Sequence, residues 1–396
     1  MVRFLHVADL HLGMRVTRFS PEVVGKLQQA RFQALQNVRR HATGFHFVVI
    51  AGDLFDDLHV SREVARRAFE LLEDFGPPVL VLPGNHDPLQ AGSVWDSPPW
   101  REGEPARRVQ VLRHRKPFEV LPGVTIFPCP VFAKTSTENP TAWIAKHPRS
   151  AAGGIRIGIA HGSVMDRPNL PADDHPISPR APDELQLDYL ALGHWHSPKL
   201  YADDAGCVRM AYAGVHESMR FPGDAPATGW QSYSAGAARD DFIDREPGNA
   251  LAVSIDHSAA PPQIEPVRVA NYIWINRTAE VHSPDELGRL INDVSEQEEK
   301  ERTLLRLRLT GTLPLTVVER LGDLRSVLSP YVVGDLDDSQ LVVEPTLAEA
   351  REALGAGILP RVHDRLQAQI HAGDANAKAI AERALRLLFR HASGGA

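Results

Sequence analysis

The 396-residue chain holds only two cysteines, Cys129 and Cys207, in no metal-binding spacing. A disulfide framework and a thiolate-ligated zinc site are therefore excluded, and a reducing compartment is expected. No stretch approaches the roughly 20 apolar residues of a bilayer span, so no membrane association is expected. The N-terminus passes directly into a strand pattern, with no basic segment ahead of an apolar one. Secretion is not expected, and the expected home is the cytoplasm. Positive charge is not in excess either: 43 Lys and Arg stand against 50 Asp and Glu, a formal net charge of −7. That balance counts against a surface that is basic throughout, so a phosphate-binding site must draw its positive potential from local groups.

What the sequence does contain is a series of short runs rich in Val, Ile and Leu, each ending at or just before a polar motif. Phe4 to Ala8 precedes Asp9 and His11; Phe47 to Gly52 precedes Asp53; Val79 to Gly84 precedes Asn85, His86 and Asp87. Ile155 to Ala160 precedes His161, Tyr189 to Gly193 precedes His194 and His196, and Val208 to Tyr212 leads into Ala213-Gly214. Such runs read as buried strands. Between them lie helix-like stretches. Ser20-Pro21 opens one that runs to about Arg40, and Ser61 caps another whose Val64, Ala68, Leu71, Leu72 and Phe75 share a face. Alternating strands and helices imply an α/β fold, and in open α/β sheets the ligand crevice lies beyond the carboxyl ends of the strands. All the polar motifs fall there.

Carboxylates, imidazoles and one amide suit Mn²⁺, Fe or Zn²⁺. Asp53, alone at its strand end, has two oxygens and can bridge a pair of ions. A pair about 3.5–4 Å apart suits in-line displacement at a phosphoryl group. His86, immediately after Asn85, suits a non-ligand role at the phosphate or at the leaving oxygen. A lone histidine at a strand end is more often a hydrogen-bonded core or surface residue. That plainer reading is given to His6, His41, His46, His59, His114 and His147, but it fails for the whole ordered set.

Asp9-Leu10-His11-Leu12-Gly13, Gly52-Asp53-Leu54-Phe55-Asp56, Gly84-Asn85-His86-Asp87, His161-Gly162 and Gly193-His194-Trp195-His196 resemble the motif series of calcineurin-like metallophosphoesterases. Phe4-Leu5-His6, the Leu-Phe-Asp after Gly52-Asp53, and Asp188 to His194 resemble the SbcD-type DNA repair exonuclease branch within it. The resemblance implies a two-sheet α/β core flanked by helices, and two divalent metal ions, usually Mn²⁺ in this branch. It implies one ion held by Asp9, His11, Asp53 and His196, and a second by Asp53, Asn85, His161 and His194. It further implies a catalytic role for His86, with Asp87 orienting that imidazole or tying down its loop. Asp56 stands where eukaryotic-type relatives usually carry a histidine, so a second catalytic imidazole is not expected there.

The main domain is expected over residues 1–270, closed by a strand at Leu251 to Ile255. Residues 271–345 read as a small α+β module, similar by position to a capping domain. Its expected parts are strands at Trp274-Ile275 and Ala279 to Val281, a helix from Ser283 to about Lys300, a strand over Leu304 to Leu309, a helix over Pro314 to Leu328, and short strands at Tyr331 to Val333 and Leu341 to Val343. Residues 346–396 read as a C-terminal helical segment with apolar stripes at Leu359, Val362, Leu366 and Ile370 and at Ile380, Ala384, Leu387 and Leu388. Those stripes either pack on the cap module or, as the resemblance implies, dock an SMC-like ATPase of the SbcC type; homodimerisation is also a family expectation. A Pro- and Asp-rich loop from Asp166 to Asp183 is expected to rim the active site, and a long irregular stretch from Pro222 to Asn249 carries no readable role.

The substrate expected from the resemblance is DNA, hydrolysed at its phosphodiester bonds by a two-metal exonuclease or endonuclease acting in repair. Arg113, Arg115 and Lys116 are the candidate phosphate contacts, with Trp95 and Trp100 upstream as rings for an unpaired base. The plainer reading of that segment is a solvated surface. Two rival functions remain at this point: a phosphodiesterase for small diesters, and an inactive scaffold for an ATPase.

Overall fold

A computed structural model of the chain describes residues 1–15, 19–101, 108–150, 153–168, 170–222, 247–314, 317, 320–343, 358–372 and 374–392. These fall into two compact units, one carrying the described residues up to Met219 together with those from Pro247 to Tyr272, the other carrying Arg220 to Pro222 and the residues from Ile273 onward. Most of the Pro222 to Asn249 stretch, and the opening residues of the C-terminal segment, lie outside the described residues.

The first unit runs β1 (Val2–Val7), α1 (Pro21–His41), β2 (Phe47–Ala51), α2 (Arg62–Glu73), β3 (Val79–Leu82), β4 (Val109–Val111), β5 (Phe118–Leu121), β6 (Val124–Cys129), β7 (Ile155–His161), α3 (Ala181–Glu184), β8 (Tyr189–Gly193), β9 (Lys199–Ala202), β10 (Val208–Tyr212), β11 (Asn249–Ile255) and β12 (Gln263–Arg268). Two six-stranded sheets result, ordered β12-β11-β1-β2-β3-β4 and β5-β6-β7-β8-β10-β9. In the first, β1 to β4 are parallel; in the second, β6, β7, β8 and β10 are parallel.

Alternation along the strands decides what each face buries. Phe4, Phe47, Val49 and Leu80 face the second sheet, where Ile126, Ile157, Ile159 and Tyr189 meet them in a core from which water is excluded. Phe4 and Phe47 stack with centroids 5.0 Å apart, a geometry worth about 0.5–1.5 kcal/mol beyond its burial. Leu5, Val7, Ile50 and Val81 face the other way, onto the apolar stripes of α1 and α2. Those helices start where expected: Ser20 Oγ accepts the Val23 N–H and Ser61 Oγ accepts the Val64 N–H, caps worth about 1 kcal/mol each. His6, read as an ordinary core histidine, is buried between Tyr189 Oη and the Leu192 carbonyl.

Strand β6 was not foreseen, because Pro128 interrupts an otherwise apolar run and proline removes a ladder donor. It is tolerated because β5 pairs with β6 only as far as Ile126, so at Pro128 the strand has β7 alone for a neighbour.

The second unit runs β13 (Ile273–Val281), α4 (Pro284–Glu296), β14 (Thr303–Leu313), α5 (Leu321–Leu328), β15 (Val333–Val343), α6 (Ile358–Ala372) and α7 (Ala375–Ala392), with a parallel sheet ordered β13-β14-β15. The strand pieces expected on either side of Asn276 and of Asp337 are single strands of nine and eleven residues. Polar residues in their middles hid them: Arg306 pairs with Asp335 and Arg308 with Asp337 across the exposed sheet face. The helix expected to reach about Lys300 ends at Glu296. Among the described residues no helix is long and apolar enough to cross a membrane.

Candidate metal centre

Every polar motif singled out above sits at or beyond the carboxyl end of its strand, and the two sheets bring those ends to one rim. Backbone bonds tie the rim together: Asp9 N–H donates to Gly52 O, His11 N–H to Asp53 O, and Gly162 N–H to Gly193 O. The backbone is strained where the chemistry is. Asp9, His11 and Asp53 have φ of 55°, 45° and 53°, and His194 has 115°, in a region where non-glycine residues are uncommon and their persistence marks functional sites. Gly52 and Gly84 make the approach possible. A Cβ on Gly52 would overlap the His161 ring, and one on Gly84 would overlap the Asp53 carboxylate.

The candidate ligands converge in two groups that share Asp53. His11 Nε2 lies 3.0 Å from His196 Nε2, and these two with Asp9 have ligand atoms within 4.8 Å of one another. On the other side, Asn85 Oδ1 lies 2.7 Å from His161 Nε2 and 3.1 Å from His194 Nδ1. Asp53 Oδ2 stands 3.4 Å from His161 Nε2 and 3.7 Å from His11 Nε2. His86 belongs to a further group with His11 and Asp53. Asp9, His11, Asp53 and His161 are at most 1% exposed.

The electrostatics call for a cation. Burial raises Asp9 well above the usual carboxylate range, and Asp53 adds to this despite the opposing charge of His161. For Asp53, burial pushes upward but His161, His11 and His86 outweigh it and hold the group well below that range. Burial alone would lower His161; the charge and hydrogen bond of Asp53 instead raise it to about 9. Ring nitrogens facing each other at 3.0 Å, and two more facing one amide oxygen, are contacts that a cation between them satisfies. The all-N/O donor set fits divalent transition metals, so the residues present fit the expected group.

Around this cluster four of the rings have a partner on the far side. His161 Nδ1 lies 3.0 Å from the Ala51 carbonyl, His86 Nδ1 lies 3.0 Å from the Asp56 carbonyl, and His194 Nε2 lies 2.9 Å from Asp174 Oδ2. Asp56 Oδ1 is 3.1 Å from His11 Nδ1, off the axis of a full hydrogen bond. Asp87 has its carboxylate on the backbone N–H groups of Phe55 and Gly84, and Trp95 Nε1 donates to its carbonyl. Of the two tasks considered for Asp87, the loop tie is the one its contacts describe.

The outer residues fare differently. Trp95 and Trp100 are 0% and 2% exposed, which corrects the idea that their rings are open to a base; they pack against Phe55. Arg113 donates to the carbonyls of Trp95 and Trp100. His114, Arg115 and Lys116 are exposed. Sequence reasoning missed Phe132, 45% exposed, with the Arg115 guanidinium 5.2 Å from its ring centroid. It follows Val131, which is bonded to Pro83 and Leu89 on either side of the Asn85-His86 loop. It missed Asp174 as well: the Asp166 to Asp183 loop was expected at the rim, but nothing in a single sequence marks which of its aspartates turns inward.

Comparison with known proteins agrees with this geometry. Residues 2–198 match the calcineurin-like phosphoesterase family. A Bacillus subtilis protein, the uncharacterized metallophosphoesterase YhaO, is 27% identical over 237 residues, covering 57% of this chain and 53% of its own length. The DNA double-strand break repair protein Mre11 of Saccharolobus solfataricus is 25% identical over 278 residues, covering 68% of each chain. Mre11 of Aeropyrum pernix is 28% identical over 246 residues, covering 56% of this chain and 54% of its own. The matched part thus spans about half of the first of these relatives. Family members bind divalent metals and hydrolyse phosphoester bonds. With the match over residues 2–198 and the strand-end candidate ligands gathered at one rim, the chain carries a calcineurin-like phosphoesterase domain.

Proposed function

We propose that this protein is a metal-dependent DNA nuclease of the SbcD type, acting in DNA repair at a centre for two divalent ions, Mn²⁺ being the natural choice. The observation that carries the reading is the convergence of seven candidate ligands at one rim, Asp53 among them, with His86 beside them. Two of the relatives bear the name DNA double-strand break repair protein, which favours DNA over other phosphoesters.

When bound, the ions supply Lewis acidity at the phosphoryl oxygens and a water acidic enough to attack near neutral pH. The chain's residues do the rest. Asp53 fixes the spacing of the two halves of the site. With Nδ1 turned to the Asp56 carbonyl, His86 presents Nε2 to hold a proton for the leaving oxygen. Arg115 stands over the Phe132 ring, and Phe132 follows Val131 beside the Asn85-His86 loop; with Lys116 they are assigned to contact phosphates and an unpaired base. Partner docking by an SMC-like ATPase is assigned to the C-terminal helices, whose Leu359, Val362, Ile380 and Leu387 are 37–62% exposed. Homodimerisation and a cytoplasmic home complete the proposal.

The test is Mn²⁺-dependent cleavage of end-labelled linear DNA, with His86→Ala alongside and a chromogenic small phosphodiester as the competing substrate. Cleavage of DNA by the parent and its loss in His86→Ala support the nuclease. Turnover of the small diester with DNA left intact replaces it by a small-molecule phosphodiesterase. Silence on both, with Mn²⁺ bound, points to a scaffold or to an enzyme that requires its ATPase.

A further inference from the structure

His194, one of the imidazoles that meet at Asn85, has a buried side-chain carboxylate facing its outer nitrogen. Asp174 is 5% exposed, and its Oδ2 lies 2.9 Å from His194 Nε2. The carboxylate is itself held: Ser163 Oγ donates to the same oxygen. Its backbone is braced from two sides. Ser136 N–H donates to Asp173 O, His175 N–H donates to Ser136 O, and Ser163 and Ile177 bond across the loop's base. His175 takes a left-handed φ of 51° to make the turn. A loop built this firmly around one aspartate is not a solvated excursion.

Resting on the two-ion reading above, we propose that Asp174 is a positioning residue of the metal centre, which sets both the rotation and the tautomer of His194. An ionised carboxylate can only accept, so the ring nitrogen facing it carries the proton. That places the hydrogen on Nε2 and leaves the lone pair on Nδ1, the atom 3.1 Å from Asn85 Oδ1. His161 is set the opposite way round, with Nδ1 on the Ala51 carbonyl and Nε2 toward Asn85. The two rings therefore present different nitrogens to one point, and only the His194 side depends on a residue from the Asp166 to Asp183 loop. Outer carboxylates of this kind sharpen ligand orientation and basicity, and their loss costs roughly 10–100-fold in metal affinity.

The experiment is calorimetric titration of the metal-stripped full chain with Mn²⁺, for the parent, Asp174→Ala and Asp174→Asn, together with long-range ¹H–¹⁵N spectra of the histidine rings without metal. We expect two binding steps in the parent. In Asp174→Ala one step weakens by about 10–100-fold while the other keeps its affinity, and the His194 ring changes from the Nε2–H form to a mixture of tautomers. Asp174→Asn keeps an accepting oxygen without the charge, so its affected step falls between parent and alanine variant. A merely structural role would lower the unfolding midpoint without changing the ring's tautomer. Parental affinities in both steps, or an unchanged His194 tautomer in Asp174→Ala, overturn the inference while leaving the two-ion reading intact. A parent that binds no Mn²⁺ overturns both. Should Asp174→Ala not fold, unchanged affinities in Asp174→Asn are the overturning result.

Discussion

Asp53 and His86 are joined by more than proximity: Asp53 Oδ1 accepts the His86 backbone N–H at 2.9 Å while Oδ2 faces the rings of His161 and His11. One carboxylate thus sets the position of the candidate acid and of both ligand groups. Asp53→Ala should abolish both Mn²⁺ binding steps and lower turnover by at least about 10²–10³-fold. Calorimetry and steady-state kinetics on the same preparation check this, and a variant that still binds two ions tightly would refute the bridging role.

His86→Ala separates chemistry from metal binding. Loss of a proton donor at the leaving oxygen should cost about 10²–10⁴-fold in kcat, with both Mn²⁺ affinities near the parental values. The effect should shrink on a diester whose leaving group needs no proton. A large fall in Mn²⁺ affinity would instead make His86 a ligand, as its place beside His11 and Asp53 allows.

Phe132 and Arg115 should discriminate between substrates. Phe132→Ala should raise the KM for a single-stranded oligonucleotide by about 5–100-fold, the usual worth of one stacked base. Arg115→Gln should reduce the salt dependence of oligonucleotide binding by about one phosphate contact. Neither change should alter hydrolysis of a small chromogenic diester; equal losses on both substrates would show that these residues act on the site itself and not on a strand.

Glu217 gives the fold a pH dependence. Its buried carboxylate accepts the backbone N–H groups of Asn271 and Tyr272, and burial raises it to about 7, against the pull of those bonds and of Arg31. The unfolded chain releases this proton near 4.5 while the folded chain keeps it until about 7. The folded state therefore binds the proton more tightly, and stability falls as pH rises through that window, by on the order of 3 kcal/mol. Unfolding titrations at several pH values should show this slope as the difference between the parent and Glu217→Gln. A difference that does not vary between pH 4.5 and 7 would rule it out.

Much of this was legible in the sequence for a physical reason. A strand buried on both faces has to be largely apolar, so Val48 to Ala51 or Val79 to Leu82 stand out, and the first polar residue after each marks the rim. Helix starts were legible because Ser20 and Ser61 cap locally. What stayed hidden had been decided by neighbours distant in sequence. Strand β6 depends on where β5 stops beside Pro128, and β15 depends on the arginines of β14 that neutralise its aspartates. Trp95 and Trp100 looked like surface rings because their burial comes from Phe55 and Phe69.

By itself, then, the sequence determined which atoms are offered at the rim: the oxygens of Asp9, Asp53 and Asn85 and the rings of His11, His161, His194 and His196, because residue type and strand-end position are both local properties. Tertiary structure alone decided how those groups face one another. It turned His161 and His194 to opposite nitrogens by giving one a backbone carbonyl and the other Asp174, and it brought the Phe55 amide to Asp87. A hydrogen bond is set by distance and direction in space, and partners 20 to 110 residues apart acquire those only when the chain has folded back to bring them together.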